Sequence, residues 1–193
     1  MSLAGQAIPR VAVSGGPGAG KTTVLREALR RDPKRFVGVS EVATLMFTHV
    51  FPKVHTATQR RAIQHAIFHT QLSLEDFHGS RAQPNQVLLC DRGTPDGGGY
   101  WPEGHAGFFA AMRTTLEAEL GRYDAVVFLE SAAAGGLSIA SGNPIRSEDR
   151  TAAVEIDQRL RAVWSAHPNY TFIPHAADFR DKIEAALDAL MRR

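Results

Sequence analysis

Short apolar runs alternate along this chain with longer segments in which apolar residues recur every three or four positions. Runs of four or five apolar residues between turn-forming residues are typical of buried β-strands. They predict five strands, at 10–14, 36–39, 87–90, 125–129 and 170–173. The longer segments predict amphipathic helices, at 21–31, 40–51, 56–78, 108–120, 146–164 and 178–191. This alternation predicts an α/β fold, a five-stranded parallel sheet with helices on both faces.

Two segments between these elements are predicted to lack regular structure. Residues 94–107 are rich in glycine and indicate a loop, and residues 131–143 are small and polar and indicate a mobile connection. No repeat, low-complexity tract or linker divides the 193 residues. Because a chain of this length buries one sizeable core, residues 1–193 are predicted to form a single domain.

Composition narrows the class of protein. The hydrophobic fraction of 44% is ordinary for a soluble protein, and the net charge of +2 gives no reason to expect nucleic acid as a partner. The single cysteine, Cys90, excludes an internal disulfide and fits a reducing compartment. Residues 1–9 lack the pattern of a signal peptide, and no apolar stretch reaches the ~20 residues that span a bilayer. We therefore expect a cytoplasmic protein without a membrane span.

A glycine-rich segment between the first predicted strand and the first predicted helix fits the phosphate-loop pattern G-x-x-x-x-G-K-[ST]. Glycines let successive backbone N–H groups turn inward around a phosphate, and the helix adds its positive N-terminal end. Lys21 would reach the β- and γ-phosphates, and the Thr22 hydroxyl would ligate Mg²⁺. A turn that binds nothing would need neither the Lys-Thr pair nor this many glycines. The sequence therefore predicts a site for ATP or GTP with Mg²⁺, built from Gly15, Gly16, Pro17, Gly18, Ala19, Gly20, Lys21, Thr22 and Thr23.

A second phosphate-site element ends the third predicted strand. Asp91 is placed there to hold a water molecule on the Mg²⁺ that Thr22 coordinates. The alternative is an aspartate that caps the following turn, which Gly93 and Pro95 favour. Arg92 would clamp a phosphate with its planar guanidinium, or else be a solvated loop arginine.

Three segments carry a resemblance to a known family: the phosphate loop from Ser14 to Thr23, the tetrapeptide Ser40-Glu41-Val42-Ala43, and residues 91–101 with Asp-Arg-Gly-Thr-Pro-Asp followed by Tyr-Trp. They resemble the AAA_28 group of P-loop proteins, which takes in the kinase domain of NadR (ribosylnicotinamide kinase) and Ttd14-like proteins. The resemblance covers nearly the whole chain, including Asn143 to Glu148. It implies a three-layer P-loop NTPase fold with strand order 2-3-1-4-5, a lid at about 131–150 and a nucleoside-kinase-like acceptor cleft.

The acceptor side is predicted from residues near the same sheet edge. Glu41 follows the second strand, and by resemblance it is the general-base candidate for an acceptor hydroxyl; favourable charge at a helix start is the alternative. Asp96 would supply the same function or bind a sugar, or else form a turn. Tyr100, with Trp101, would stack on an aromatic acceptor or anchor its loop to the core.

The lid is predicted to contribute arginines. Arg146 and Arg150 stand four positions apart at a predicted helix start, so they would share one helix face. In P-loop kinases such a pair closes over the γ-phosphate and stabilises charge as it moves to the acceptor. A solvated pair bridged to Glu148 or Asp149 is the alternative.

Two other patterns carry less chemistry. His65 and His69 have the spacing of a metal pair, but no third ligand accompanies them, which favours two half-exposed side chains on a long helix. The basic residues Arg30, Arg31, Lys34 and Arg35 would suit an anionic lipid headgroup, yet the helix dipole also favours them at a helix C-terminus.

These features predict a Mg²⁺-dependent small-molecule kinase that moves the ATP γ-phosphoryl to a hydroxyl of a nucleoside-like or other small polar acceptor. Lys21, Arg92, Arg146, Arg150 and Glu41 would be its catalytic residues. The alternative is a regulatory module that binds ATP or GTP, hydrolyses it slowly and contacts phosphoinositide lipids. The chain lacks the N/T-K-x-D motif by which signalling GTPases bind guanine, and no helical lid domain of the remodelling-ATPase type follows the predicted sheet.

Overall fold

The computed structural model of the chain describes residues 8–51, 56–136 and 150–193. Five parallel strands form one sheet in the order β2-β3-β1-β4-β5. The strands are β1 Arg10–Ser14, β2 Phe36–Val39, β3 Val87–Asp91, β4 Ala125–Leu129 and β5 Tyr170–Ile173. The predicted strands and their order are confirmed, and β3 extends one residue further than predicted, to include Asp91.

Helices follow the strands. They are α1 Lys21–Arg31, α2 Val42–His49, α3 Ala57–Arg81, α4 Gly97–Tyr100, α5 Gly104–Met112, α6 Leu116–Leu120, α7 Arg150–Trp164 and α8 Phe179–Met191, with a short 3-10 turn at Thr94–Asp96. Their caps agree with the local sequence, since Thr56 and Asp178 accept backbone N–H groups at the starts of α3 and α8. None of the helices that the structure describes is both long and apolar enough to cross a membrane.

Alternate residues of the strands point to opposite faces of the sheet and pack in two separate hydrophobic cores. On one face of the sheet, Val11 and Val13 pack with the apolar sides of α1 and α8. On the other face, Ala12 and Phe128 pack with Leu160 and Trp164 of α7. Helices therefore cover both faces, which confirms the predicted three-layer α/β fold. Because the five strands are parallel, the loops that follow their carboxyl ends meet at one edge of the sheet.

The predicted loop at 94–107 is wrong in part, because most of it is helical. Gly97 and Gly99 lie where α4 packs tightly against neighbours, and a Cβ at Gly99 would stand 2.6 Å from a Leu160 side-chain carbon. Close packing, rather than loop freedom, accounts for these glycines. The predicted helix at 108–120 is also wrong as one element, because it breaks at Arg113, which has a φ of 56°. Thr115 then caps α6.

Helix α3 leaves an apolar side chain exposed and buries a charged one. Phe77 is 55% exposed, whereas Glu75 is completely buried. The Glu75 carboxylate accepts hydrogen bonds from the Tyr123 hydroxyl at 2.6 Å, from Arg122 at 2.8 Å and from Gln71 at 2.9 Å. Because a buried charge is tolerated only when it is paired, these donors explain how Glu75 remains in the interior.

Removal of Glu75 is expected to destabilise the fold strongly. Glu75→Ala leaves the half-buried Arg122 and the buried Tyr123 without this acceptor, so the free energy of unfolding should fall by about 3–5 kcal/mol. Urea denaturation followed by circular dichroism measures this change, with the exposed Glu117→Ala on α6 as the control. Equal losses in the two variants would contradict a stabilising role for the buried network.

Candidate active site

The phosphate loop joins β1 to α1 and has the backbone shape of an anion site. Gly18 and Gly20 have φ values of 75° and 96°, a left-handed region that other residues rarely adopt. No side chain caps the start of α1. Among the described residues, none accepts from the backbone N–H groups of Gly18, Gly20, Lys21 or Thr22. These donors, together with the helix dipole, suit a phosphate group.

Lys21 lies across the loop beside these donors. Its Nζ donates to the carbonyl oxygens of Gly15 at 2.8 Å and Gly16 at 3.0 Å. Burial, together with the positive charge of Arg92, lowers the pKa of the Lys21 ammonium to about 7, although nearby carboxylates oppose the shift. A bound phosphate would give this buried ammonium an anionic partner, which agrees with the predicted role of Lys21.

Thr22 and Asp91 meet as the sequence predicts. The Thr22 hydroxyl donates to Asp91 Oδ2 at 3.3 Å, whereas Asp91 Oδ1 is buried with no partner among the described residues. Burial, together with the negative charge of Glu41, raises the pKa of Asp91 to about 6, although Lys21 and Arg92 oppose the shift. An unpartnered carboxylate oxygen next to a hydroxyl fits Mg²⁺, which prefers oxygen ligands.

The described residues contain no group of three or more His, Cys, Asp and Glu side chains that could hold a metal ion alone. A magnesium ion at Thr22 and Asp91 would therefore share its ligands with water and phosphate, the usual arrangement in phosphate-transfer enzymes. His65 and His69 lie on α3 with exposed rings whose centres are 6.2 Å apart, and the interpretation as a non-metal pair stays a prediction.

Asp91→Asn is expected to raise the Mg²⁺ requirement about 10-fold or more, because it removes a negative oxygen that orients the metal's shell. A magnesium titration at fixed nucleotide, read by calorimetry, measures the shift. Asp188→Asn, on the exposed face of α8, is the matched control. If the titrations of the two variants coincide, Asp91 acts as a turn cap and the metal role is wrong.

Arg92 links the residues of the predicted acceptor side. Its Nε donates to Glu41 Oε1 at 2.6 Å, and its Nη1 donates to Asp96 Oδ2 at 2.9 Å. The guanidinium carbon lies 5.3 Å from the centre of the half-buried Tyr100 ring, within the range of a cation–π contact. Arg92 itself has a left-handed φ of 72°, which turns its side chain toward these partners at some backbone strain. It is therefore not a solvated loop arginine.

Glu41 lies at the start of α2 with both carboxylate oxygens engaged. Oε1 accepts from Arg92, and Oε2 accepts from the Thr44 hydroxyl at 2.6 Å. Burial by itself would raise the pKa of Glu41, but the charges of Arg92 and Lys21 and these hydrogen bonds bring it to about 2. An ionised carboxylate with so low a pKa accepts a hydrogen bond well and removes a proton poorly. The position suits the orientation of a hydroxyl better than strong base catalysis.

Asp96 is buried behind Arg92. Its Oδ1 accepts from Ser14 Oγ at 2.8 Å and from Trp164 Nε1 at 2.5 Å, and its Oδ2 accepts from Arg92. A direct contact with a substrate sugar would require one of these bonds to break. The contacts therefore favour Asp96 as an anchor of the 91–101 segment. Trp101 is also an anchor, since it is 3% exposed and packs edge-on to Phe108.

The predicted lid lies largely outside the described residues. Residues 132–136 form turns, and Arg146 falls within 137–149, of which the structure describes nothing. Arg150 is the first residue of α7, and its side chain is exposed. Its guanidinium lies near Gly136, 3.4 Å from the position that a Cβ would take there. The roles of both arginines therefore stay predictions.

Three residues that the sequence did not single out contact the phosphate loop. Asp157 of α7 accepts from the Gly16 backbone N–H, Ser131 donates to the Pro17 carbonyl, and Lys182 of α8 donates to the Ala19 carbonyl. All three are distant from the loop in sequence and belong to no motif. The one sequence signal for Asp157 and Lys182 is a charged residue at a helix position where the periodicity predicts an apolar one, and the structure shows both to be buried.

Most of the predicted lipid-binding cluster is engaged with the chain itself. Arg30 and Arg31 pair with Glu27, and Arg31 also pairs with Glu184. Arg35 donates to the Met191 carbonyl. The arrangement agrees with arginines that stabilise the ends of α1 and α8.

Comparisons with known proteins agree with this geometry. The model of the AAA_28 family, described as an AAA domain, matches residues 10–182. No curated protein matches the chain significantly. The structure is similar to that of deoxyadenosine kinase from M. mycoides with bound dATP, with 12% sequence identity and a TM-score of 0.60. The alignment covers 95% of this chain and 99% of the kinase, so the two share a fold.

Proposed function

The chain belongs to the AAA_28 family, and we propose that it binds a nucleoside triphosphate with Mg²⁺ and transfers the γ-phosphoryl group to a hydroxyl of a small polar acceptor. One observation carries the proposal. The N–H groups of the phosphate loop, the Thr22–Asp91 pair and the Glu41–Arg92 pair lie at one edge of a P-loop-kinase-like sheet. They supply an anion site, a metal site and a charged acceptor site.

The donor half of the reaction depends on the loop and on Lys21. The N–H groups of Gly18, Gly20, Lys21 and Thr22 hold the β- and γ-phosphates, and the Lys21 ammonium leaves the Gly15 and Gly16 carbonyls to contact them. Thr22 and Asp91 hold the Mg²⁺, which when bound neutralises charge on the phosphates. The loop N–H groups, Thr22 and Asp91 are already in place before binding, so only Lys21 has to move and little reorganisation opposes catalysis.

The acceptor half depends on Arg92 and Glu41. No described residue accepts from Arg92 Nη2, so that amino group keeps its donors for the transferring phosphoryl. Glu41 accepts a hydrogen bond from the acceptor hydroxyl in place of Thr44 and directs its oxygen at phosphorus. Because the transition state of phosphoryl transfer is loose, orientation matters more than a strong base, which agrees with the low pKa of Glu41.

The site supports ATP and a nucleoside-like acceptor best. Tyr100, half buried above Arg92, offers an aromatic face at the entrance of the acceptor side, where a planar ring would stack. The sharing of a fold with a deoxyadenosine kinase supports the same choice. A nucleotide-binding regulatory module is the second candidate, because both oxygens of Glu41 already hold protein donors and need no acceptor.

An acceptor screen distinguishes the two candidates. The protein is incubated with Mg·ATP or Mg·GTP and a panel of nucleosides and other small polar alcohols, and products are identified by mass spectrometry. A kinase yields one phosphorylated acceptor together with an equal amount of nucleoside diphosphate. Slow release of diphosphate that no alcohol accelerates would support the regulatory module instead.

A further inference from the structure

Asp157, on α7, contacts the phosphate loop directly. Its Oδ1 accepts from the backbone N–H of Gly16 at 2.8 Å and from that of Ser131 at 2.9 Å. The side chain is buried, and a Cβ at Gly16 would stand 2.6 Å from the same oxygen. The contact therefore depends on glycine at position 16 and on the carboxylate together.

Lys182, on α8, makes the complementary contact. Its Nζ donates to the carbonyl oxygens of Ala19 at 2.8 Å and of Glu130 at 2.5 Å. Burial lowers its pKa to about 8, so the ammonium stays largely protonated near neutral pH. This lysine has no ion-pair partner within 4.0 Å among the described residues, and its ammonium donates to backbone carbonyls.

The two contacts have a common geometry. Each side chain bridges the phosphate loop to one of the two residues that follow β4: Asp157 contacts Ser131, and Lys182 contacts Glu130. Ser131 Oγ also donates to the Pro17 carbonyl. Helices α7 and α8 lie on opposite faces of the sheet. A carboxylate thus holds an N–H group of the loop from one face, while an ammonium holds a carbonyl group from the other.

We infer that Asp157 and Lys182 are positioning residues that together hold the phosphate loop in its phosphate-binding shape. The inference rests on the proposed function in that the loop binds a triphosphate. A glycine-rich loop has many backbone conformations, and ordering it during binding would weaken affinity. Two charged side chains that fix the loop before binding avoid this loss of affinity. A carboxylate beside an anion site repels phosphate, so its presence there is explained by the positioning contact.

Three single variants and one double variant test the roles of Asp157 and Lys182. Asp157→Ala removes the acceptor, whereas Asp157→Asn keeps an oxygen that accepts from Gly16 and Ser131. Lys182→Met removes the ammonium and keeps the apolar stem. The controls are Asp188→Ala and Lys34→Met, both at exposed positions, and the double variant Asp157→Ala/Lys182→Met completes a cycle.

The first measurement uses no ligand. Amide hydrogen exchange by NMR reports the protection of the Gly16 and Ser131 N–H groups in the whole 193-residue chain. We expect Asp157→Ala to speed exchange at both amides about 10-fold or more, and Asp157→Asn to keep most of the protection. Unchanged protection in Asp157→Ala would overturn the positioning role.

The second measurement is the Kd of a Mg-bound non-hydrolysable ATP analogue, by calorimetry at a temperature where circular dichroism shows each variant folded. We expect Asp157→Ala and Lys182→Met each to weaken binding about 10-fold or more, and Asp157→Asn much less. The double variant should lose less than the product of the single losses, because both act on one loop. Lower melting temperatures with wild-type Kd values would show that the residues only stabilise the fold.

Neither measurement needs an acceptor, so failure of the kinase proposal leaves both results valid. If the wild-type protein binds no triphosphate, the proposed function fails, and the exchange result by itself supports or overturns the positioning of the loop.

Discussion

Lys21→Ala is expected to reduce nucleotide turnover by about 10²–10³-fold while the fold persists. The ammonium is a preorganised positive charge beside the predicted β- and γ-phosphate site, and loss of one such contact commonly has this effect on rate. Because Lys21 is buried and hydrogen-bonded to Gly15 and Gly16, its charge acts where water screens it little. Triphosphate binding should weaken as well.

Nucleoside diphosphate release and calorimetric Kd values for Mg·ATP measure this result. Lys34→Ala, an exposed lysine after α1, is the matched control for charge. Circular dichroism must show that Lys21→Ala remains folded. Turnover and affinity equal to those of the parent would remove Lys21, and with it the nucleotide site, from the proposal.

Glu41→Gln is expected to suppress phosphoryl transfer by about 10²–10⁴-fold and to leave triphosphate affinity almost unchanged. The ionised carboxylate orients the acceptor only when chemistry occurs, so its loss affects the transition state more than nucleotide binding. Removal of a negative charge near the γ-phosphate would, if anything, strengthen binding. The kcat should therefore fall while the Kd for ATP stays constant.

The same variant separates the kinase from the regulatory module. A module without an acceptor should show equal, slow hydrolysis before and after the change. Glu103→Gln, at an exposed glutamate paired with Arg61, controls for the loss of one negative charge. Acceptor-stimulated transfer that survives Glu41→Gln undiminished would exclude Glu41 from the mechanism.

Local sequence determined the sheet and the phosphate loop. Strand β1, the left-handed glycines and the start of α1 depend on residues adjacent in the chain, and short-range pattern reports these directly. The meeting of Thr22 with Asp91 was also predictable, because parallel strands bring their carboxyl ends to one edge. The segment at 94–107 was not, since its glycines reflect packing against Phe108 and Leu160.

Only the tertiary structure decided which charged groups act together. Glu41 and Arg92 are 51 positions apart and pair at 2.6 Å, and this pairing sets the low pKa of Glu41. Asp157 and Lys182 reach the phosphate loop across 141 and 163 positions. The local sequence reports backbone preferences and the periodicity of apolar residues. The pKa values of site residues and the restraint of the phosphate loop depend instead on burial and on partners that only folding brings within hydrogen-bonding distance.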